Sequence, residues 1–395
     1  MHPTLAAKDY SNYIEHIIPF LDAEITIVTK PGFPNWNVAT PACKLFSEYA
    51  TLKPGSKALL INSGNAVCCT YLAGRYPEVE FWLVDTNIVA LESAEKTVSV
   101  NELQNVTVIP WAQSAFQEFA FDTVFIEMKK GRKITRRLIL EAFTALKPGG
   151  KFYIAGANRA GIKSAIEDVD SIFGNSSILG YKKGNRLCLS SKLSPNIQYA
   201  DWAVEPGVAP GSWYEFHTHL SNLNIRIKSL PGVFSYNKID EGTQLLLENI
   251  LLHSASRVLD IGCGWGSIGL TAAIQGAQVD MVDVDLLAIW STNQNMISNQ
   301  LSNASIFPSD ITRSVSDRSY NLIASNPPFH SSIDVDYTVA EAIVFESYAR
   351  LETDGKLWLV TNYFLPYHNY LLKYFGNYST ISTTKRYKLL CSTKK

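Results

Sequence analysis

Short apolar runs bounded by glycine, alternating with helix-length segments, dominate the second half of the chain. Arg257-Val258-Leu259-Asp260-Ile261-Gly262 reads as a buried strand and 267–275 as a helix. Gln278-Val279-Asp280-Met281-Val282-Asp283 reads as a second strand, followed by a helix through Asn299. Tyr320-Asn321-Leu322-Ile323-Ala324-Ser325 and Lys356-Leu357-Trp358-Leu359-Val360-Thr361 complete the series, with a helix between them. Strands alternating with helices predict right-handed crossovers and a largely parallel α/β sheet covered on both faces. Ligands of such sheets sit beyond the carboxyl ends of the strands.

The first half repeats the plan. Residues 57–62, 80–85, 121–126 and 150–155 read as strands, with an apolar helix from Ala66 and another across 93–102. The period is far longer than that of a solenoid repeat, so it means two copies of a domain. The pattern divides the chain into a first domain at 1–193, a linker at 194–224 and a second domain at 225–395. The linker is richer in Pro, Gly, Ser and Asn, and is expected to carry some strand at its end.

Composition narrows the class. With 395 residues, 46% apolar and 18% charged, the chain has length for two or three domains and the make-up of a folded protein. It holds no apolar stretch of about 18 residues, so no membrane-spanning helix is expected. The opening residues lack a basic region followed by an apolar core, so a cytoplasmic protein without a secretory signal is the expectation. The six cysteines show no C-x-x-C pair, which predicts reduced thiols and no zinc site. Net charge is −1, yet Lys129, Lys130, Arg132, Lys133, Arg136 and Arg137 place six cations in nine residues. This run is either a solvated helix start or a phosphate-contacting patch.

The candidate chemistry follows the strands. Asp260-Ile261-Gly262-Cys263-Gly264-Trp265-Gly266 joins a strand to a helix with G-x-G-x-G spacing, unlike the G-x-G-x-x-G of dinucleotide binders. Glycines there let the backbone approach a ligand, and the helix start favours a carboxylate or phosphate. Asp283 ends the next strand, where a carboxylate can accept from both hydroxyls of a ribose. Asp285 is its competitor, with a helix cap as the simpler role. Asp310 could face an adenine amino group or be a surface loop carboxylate.

Ser325-Asn326-Pro327-Pro328-Phe329-His330 carries the most information. An aromatic NH2 is a poor nucleophile because its lone pair is delocalised into the ring. The Asn326 side-chain oxygen and the Asn326 main-chain carbonyl can accept its two N–H bonds and aim the lone pair at a methyl donor. Pro327 and Pro328 fix the loop, Phe329 can stack on the base, and His330 could contact it. His217, His219, Tyr236 and Tyr367 are weaker candidates, as a metal pair or as pocket lining.

Together these residues resemble a class I S-adenosylmethionine-dependent methyltransferase of the amino-methylating branch. Further segments narrow the resemblance: Leu230-Pro231-Gly232-Val233-Phe234-Ser235-Tyr236, Ile239-Asp240-Glu241-Gly242-Thr243, Asn362-Tyr363-Phe364-Leu365-Pro366-Tyr367, Arg386-Tyr387-Lys388 and Asn158-Arg159-Ala160-Gly161. The set looks like the RsmC/RlmG family of ribosomal RNA guanine-N2 methyltransferases, nearer the RsmC side. That resemblance implies two tandem Rossmann-like class I methyltransferase domains, of which only the second is catalytic. It implies S-adenosyl-L-methionine held by Asp260, Gly262, Cys263, Gly264, Gly266, Asp283, Asp310 and Asn326. It implies methylation of a small-subunit rRNA guanine, on naked RNA or an assembling ribosomal subunit; the base is expected to flip from its stack, no metal is expected, and the oligomeric state stays open with a monomer as the expectation.

The first domain departs from the family's catalytic pattern. Ser63-Gly64-Asn65-Ala66 replaces the three glycines and is expected not to form the same cradle, and Glu127-Met128-Lys129-Lys130 replaces Asn-Pro-Pro-Phe. That domain is therefore expected to position RNA and support its neighbour. Alternatives are a large-subunit rRNA target, a protein glutamine substrate, or a non-catalytic RNA-binding assembly factor. A protein glutamine methyltransferase would carry a helical N-terminal domain, and an assembly factor would not need intact glycines and Asn326.

Overall fold

The computed structural model describes residues 10–62, 64–111, 121–196, 200–220, 223–252, 257–327 and 337–395. The chain divides into two units, one of Tyr13–Trp213 and one of Tyr214–Lys395 joined by the described residues at the start of the chain, Tyr10 to Asn12. Thus the boundary falls at Trp213, and Tyr10 to Asn12 belong with the second domain.

In the first unit a hairpin, β1 (Ile14–Phe20) and β2 (Ala23–Thr29), precedes α1 (Pro41–Tyr49). Then come β3 (Lys57–Ile61), α2 (Val67–Arg75), β4 (Glu80–Asp85), α3 (Ile88–Val100), β5 (Val106–Pro110), β6 (Phe121–Glu127) and α4 (Arg132–Ala145). The unit ends with β7 (Leu146–Ala157), α5 (Ile162–Phe173), β8 (Ser177–Lys182) and β9 (Asn185–Ser191). The helix α3 starts earlier than its apolar pattern suggests because Asn87 caps it, accepting from the N–H groups of Val89 and Ala90.

The second unit repeats this order: hairpin β10 (Tyr214–Leu220) and β11 (Leu223–Ser229), α6 (Glu241–Asn249), β12 (Arg257–Ile261), α7 (Ser267–Ile274), β13 (Gln278–Asp283) and α8 (Leu286–Ser298). It continues with β14 (Ala304–Pro308), β15 (Tyr320–Ser325), α9 (Tyr337–Arg350), β16 (Leu351–Asn362), α10 (Tyr367–Phe375), β17 (Ser379–Thr383) and β18 (Tyr387–Thr393). The seven-stranded sheets run β5-β4-β3-β6-β7-β9-β8 and β14-β13-β12-β15-β16-β18-β17, with six strands in one direction and β9 or β18 alone reversed, antiparallel to both of its neighbours. The antiparallel tail and the hairpin β1–β2 carry no motif that the alternation of strand and helix would reveal.

Consecutive residues of the second sheet serve opposite faces, as strand geometry requires. Val258, Leu322 and Leu389 enter one buried cluster, while Leu259, Ile323 and Leu390 enter another. Both faces are therefore covered, which explains why these strands read as unbroken apolar runs. Within it, β12 pairs with β13 on one side and β15 on the other, so the chain leaves β12 at the point where strand order reverses. A crevice opens there, at the ends of β12 and β15. No helix among the described residues is long and apolar enough to cross a membrane.

Candidate active site

The turn after β12 adopts left-handed backbone at Gly262 (φ 74°), Gly264 (φ 59°) and Gly266 (φ 97°). The reasons differ. A Cβ at Gly262 would meet nothing within 4 Å, and one at Gly264 only the Phe234 carbonyl at 3.9 Å. Space is therefore kept open at both. At Gly266 a Cβ would come 3.0 Å from Leu270 and Thr292, so packing as well as φ demands glycine there. Beside the turn lies a cavity lined among others by Phe234, Asp240, Thr243, Cys263, Trp265 and Asn326.

Asp283 receives the N–H of Gly264 on Oδ2 and that of Asp285 on Oδ1, each at 2.9 Å. Each oxygen keeps a lone pair for a further donor, as two ribose hydroxyls require. Burial raises its pKa against those backbone bonds. Asp285 caps α8, accepting from Leu287 N–H. Asp260 is fully buried and does not line the cavity; Oδ2 accepts from Gly269 N–H at 2.8 Å, and Oδ1 has no hydrogen-bond partner. This carboxylate ties β12 to α7 from within, and burial pushes its pKa up to about 7. Asp310 is buried rather than a surface loop carboxylate, and accepts from the Tyr10 hydroxyl at 2.9 Å.

Asn326 stands at the end of β15 with its amide already oriented. Nδ2 donates to Thr243 Oγ1 at 2.8 Å and to Asp240 Oδ2 at 3.1 Å. Because a carboxylate only accepts, the NH2 end must face Asp240. The amide oxygen is turned the other way, buried and without a partner. An unsatisfied buried acceptor costs about 1–3 kcal/mol, so this oxygen is available to accept a hydrogen bond. Asp240 is itself fixed as N-cap of α6, accepting from Gly242 and Thr243 N–H. Pattern reading gave Asp240 and Thr243 no role; the signal available was an N-cap aspartate ahead of an apolar helix.

Pro327 is buried, while Pro328, Phe329 and His330 lie outside the described residues. His217 and His219 project from the exposed side of β10, opposite Arg226 and Asn224 of β11. No group of three or more metal-ligating side chains occurs among the described residues. Tyr367 is a core residue and Tyr236 packs edge-on against Tyr214.

The first unit keeps the same turn with different side chains. Its turn keeps left-handed backbone at Asn62 (φ 63°), Gly64 (φ 55°) and Ala66 (φ 63°). Left-handed backbone thus persists without glycine at the first and last of these positions: asparagine tolerates this region, and buried packing holds Ala66 there at some strain. What differs is the chemistry. Asn65 Nδ2 donates to the carbonyls of Asn35, Trp36 and Val38. Lys129 reaches Asp85 at 3.4 Å, and Glu127 takes the position of Asn326, bonded to Thr40 and pushed up to about pKa 7 by burial.

The cationic run is mostly paired. Arg132 and Arg136 both grip Asp168, Arg136 and Lys133 reach Glu205, and Arg137 is buried on Glu141 against the Trp111 ring. Among the described residues Lys130, which is exposed, is the one cation of these six without a carboxylate partner.

Two seven-stranded sheets of this order, one with an open glycine turn and a strand-end carboxylate, define a tandem methyltransferase. The pattern of the Methyltransferase small domain family matches residues 24–187 and 224–391. The chain belongs to this family, within its RsmC-type branch of ribosomal RNA small subunit methyltransferases. Ribosomal RNA small subunit methyltransferase C of Psychromonas ingrahamii is 35% identical over 283 residues, covering 70% of this chain and 77% of that protein. That of Shewanella pealeana is 34% identical over 284 residues, 69% of this chain and 78% of that one. The solved T. thermophilus 16S rRNA N2 G1207 methyltransferase (RsmC), in complex with AdoMet and guanosine, superposes with a TM-score of 0.82 at 26% identity. The alignment covers 99% of this chain and 100% of that one.

Proposed function

We propose that the chain methylates the exocyclic 2-amino group of a guanine in small-subunit ribosomal RNA, with S-adenosyl-L-methionine as methyl donor. The observation that carries the site assignment is the buried, unpartnered Oδ1 of Asn326. It accepts one N–H of the guanine amine, and the main-chain carbonyl of Asn326 accepts the other. Both bonds draw the nitrogen lone pair out of conjugation and fix its direction. The open turn at Gly262 and Gly264 and the carboxylates of Asp283 and Asp310 fit the cofactor, which when bound supplies an electrophilic methyl group on sulfonium. No strong base is needed, because the amine becomes acidic only once methylated and its proton then leaves to water. Pro327 and Pro328 stiffen the loop, and Phe329 stacks on the base.

The first domain is a degenerate copy that positions RNA and supports the second, in the cytoplasm where ribosomal subunits assemble. A helical N-terminal domain, as in protein glutamine methyltransferases, is not what precedes the site; a second seven-stranded sheet is. The test is transfer of labelled methyl to small-subunit rRNA, naked and within subunits, followed by mapping of the modified nucleotide. Transfer to a guanine N2 is expected, lost by about 10²-fold to 10³-fold in Asn326→Ala while S-adenosylhomocysteine still binds. Full activity of that variant, or a methyl found elsewhere, would overturn the reading.

A further inference from the structure

Asp310 is set on a strained turn that is clamped from several directions. Ile311, next in the chain, has φ 51°, a left-handed value that a β-branched side chain rarely adopts. Such strain persists only where the surroundings over-determine it, and it clusters at functional sites. Here Glu346 holds both the N–H and the hydroxyl of Thr312, Ser309 Oγ accepts from Ser314 N–H, and Ser309 N–H bonds to the carbonyl of Asp283. The remaining clamp comes from the far end of the chain. Tyr10 donates its hydroxyl to Asp310 Oδ1 at 2.9 Å across 300 residues, with its ring only 2% exposed in the same core cluster as Ile311.

We propose that Tyr10 is a positioning residue of the cofactor site, fixing the Asp310 carboxylate so that it accepts the exocyclic amine of adenine. The segment ahead of the first domain thereby completes the adenine end of the pocket in the second. A ring without its hydroxyl would still fill the core, but Asp310 would lose the bond that holds Oδ1, and with it selectivity for a 6-amino purine. This rests on the S-adenosylmethionine reading above.

The test uses the full chain and calorimetric titration with S-adenosylhomocysteine and S-inosylhomocysteine, which lacks the amine. Tyr10→Phe is expected to weaken S-adenosylhomocysteine about 5-fold to 10-fold, the worth of one hydrogen bond, with S-inosylhomocysteine changed less than 2-fold. KM for the methyl donor should rise in step while kcat stays within about 2-fold. Asp310→Ala should lose the same preference, and the double variant should bind no worse than Asp310→Ala alone, because both act through one contact. Unchanged preference in Tyr10→Phe, or equal weakening of both ligands, would overturn the proposal alone. Additive losses in the double variant would do the same, even if Tyr10→Phe proved poorly folded. Failure of the unaltered protein to bind S-adenosylhomocysteine would overturn the cofactor reading with it.

Discussion

The side-chain nitrogen of Asn326 lies 3.1 Å from Oδ2 of Asp240, and this one contact decides which end of the amide the cavity receives. An ionised carboxylate cannot donate, so the amide oxygen is left for an incoming N–H. Asp240→Asn removes that compulsion while remaining a good N-cap for α6. The variant should fold normally and bind S-adenosylhomocysteine within about 3-fold. Methyl transfer should fall about 10-fold to 100-fold, matching about 1–3 kcal/mol for a mis-set hydrogen bond. Single-turnover kinetics beside a binding isotherm decides it; a variant with wild-type turnover would show that Asp240 only caps its helix.

Two glycines separate cofactor space from packing. Gly262→Ala meets no atom, so the protein should stay folded with about 1–2 kcal/mol of strain and lose about 10-fold in cofactor affinity. Gly269→Ala puts a Cβ 2.3 Å from Met281 inside the core, and should lower the melting temperature instead. Melting curves taken with and without S-adenosylhomocysteine distinguish the two effects. If both variants lost only stability, the turn would be a packing feature and not a cradle.

The charge run makes a prediction about folding. Arg136 bridges Asp168 and Glu205 and stacks on the Trp202 ring, so Arg136→Ala leaves Asp168 with half its partners. Breaking a largely buried pair of this kind costs about 3 kcal/mol, visible as a lower urea midpoint. Lys130→Ala, at the surface, should leave the midpoint unchanged. Equal midpoints for both variants would return these cations to the solvent.

Buried acids predict a pH dependence of definite sign. Asp260 is pushed from 3.8 to about 7, and Glu127 from 4.5 to about 7, by burial first of all. Below about pH 4 both states of the chain are protonated and the full contribution is present. As pH rises toward 7 the unfolded chain releases these protons and the folded one retains them, so stability falls, then levels off. Asp260→Asn and Glu127→Gln should each gain on the unaltered protein across that window. Urea midpoints measured at a series of pH values check this, and parallel curves would contradict it.

The elements of both sheets were legible because strand and helix write their own periods into a short stretch of chain. Val258, Leu259 and Ile261 are apolar whatever folds around them, and Gly262, Gly264 and Gly266 signal a turn by residue type alone. The same holds for the duplication, for Asp283 at a strand end and for Asn326 ahead of two prolines. Helix caps were legible in part: Asp285 reads as a cap, whereas Asn87 moved the start of α3 upstream of its apolar pattern.

Sequence alone thus determined the two-domain α/β plan and the residue types gathered at the ends of β12, β13 and β15. Tertiary structure decided how those residues are set. Asp240 aims Asn326 across 86 positions, and Tyr10 meets Asp310 across 300. It also drew five of a run of six cations into ion pairs, and kept the left-handed turn of the first domain without glycine at its first and last positions. The physical reason is range. Hydrophobic periodicity is settled between near neighbours, but the orientation of an amide and the neutralisation of a charge depend on partners that only the folded chain brings within 3 or 4 Å.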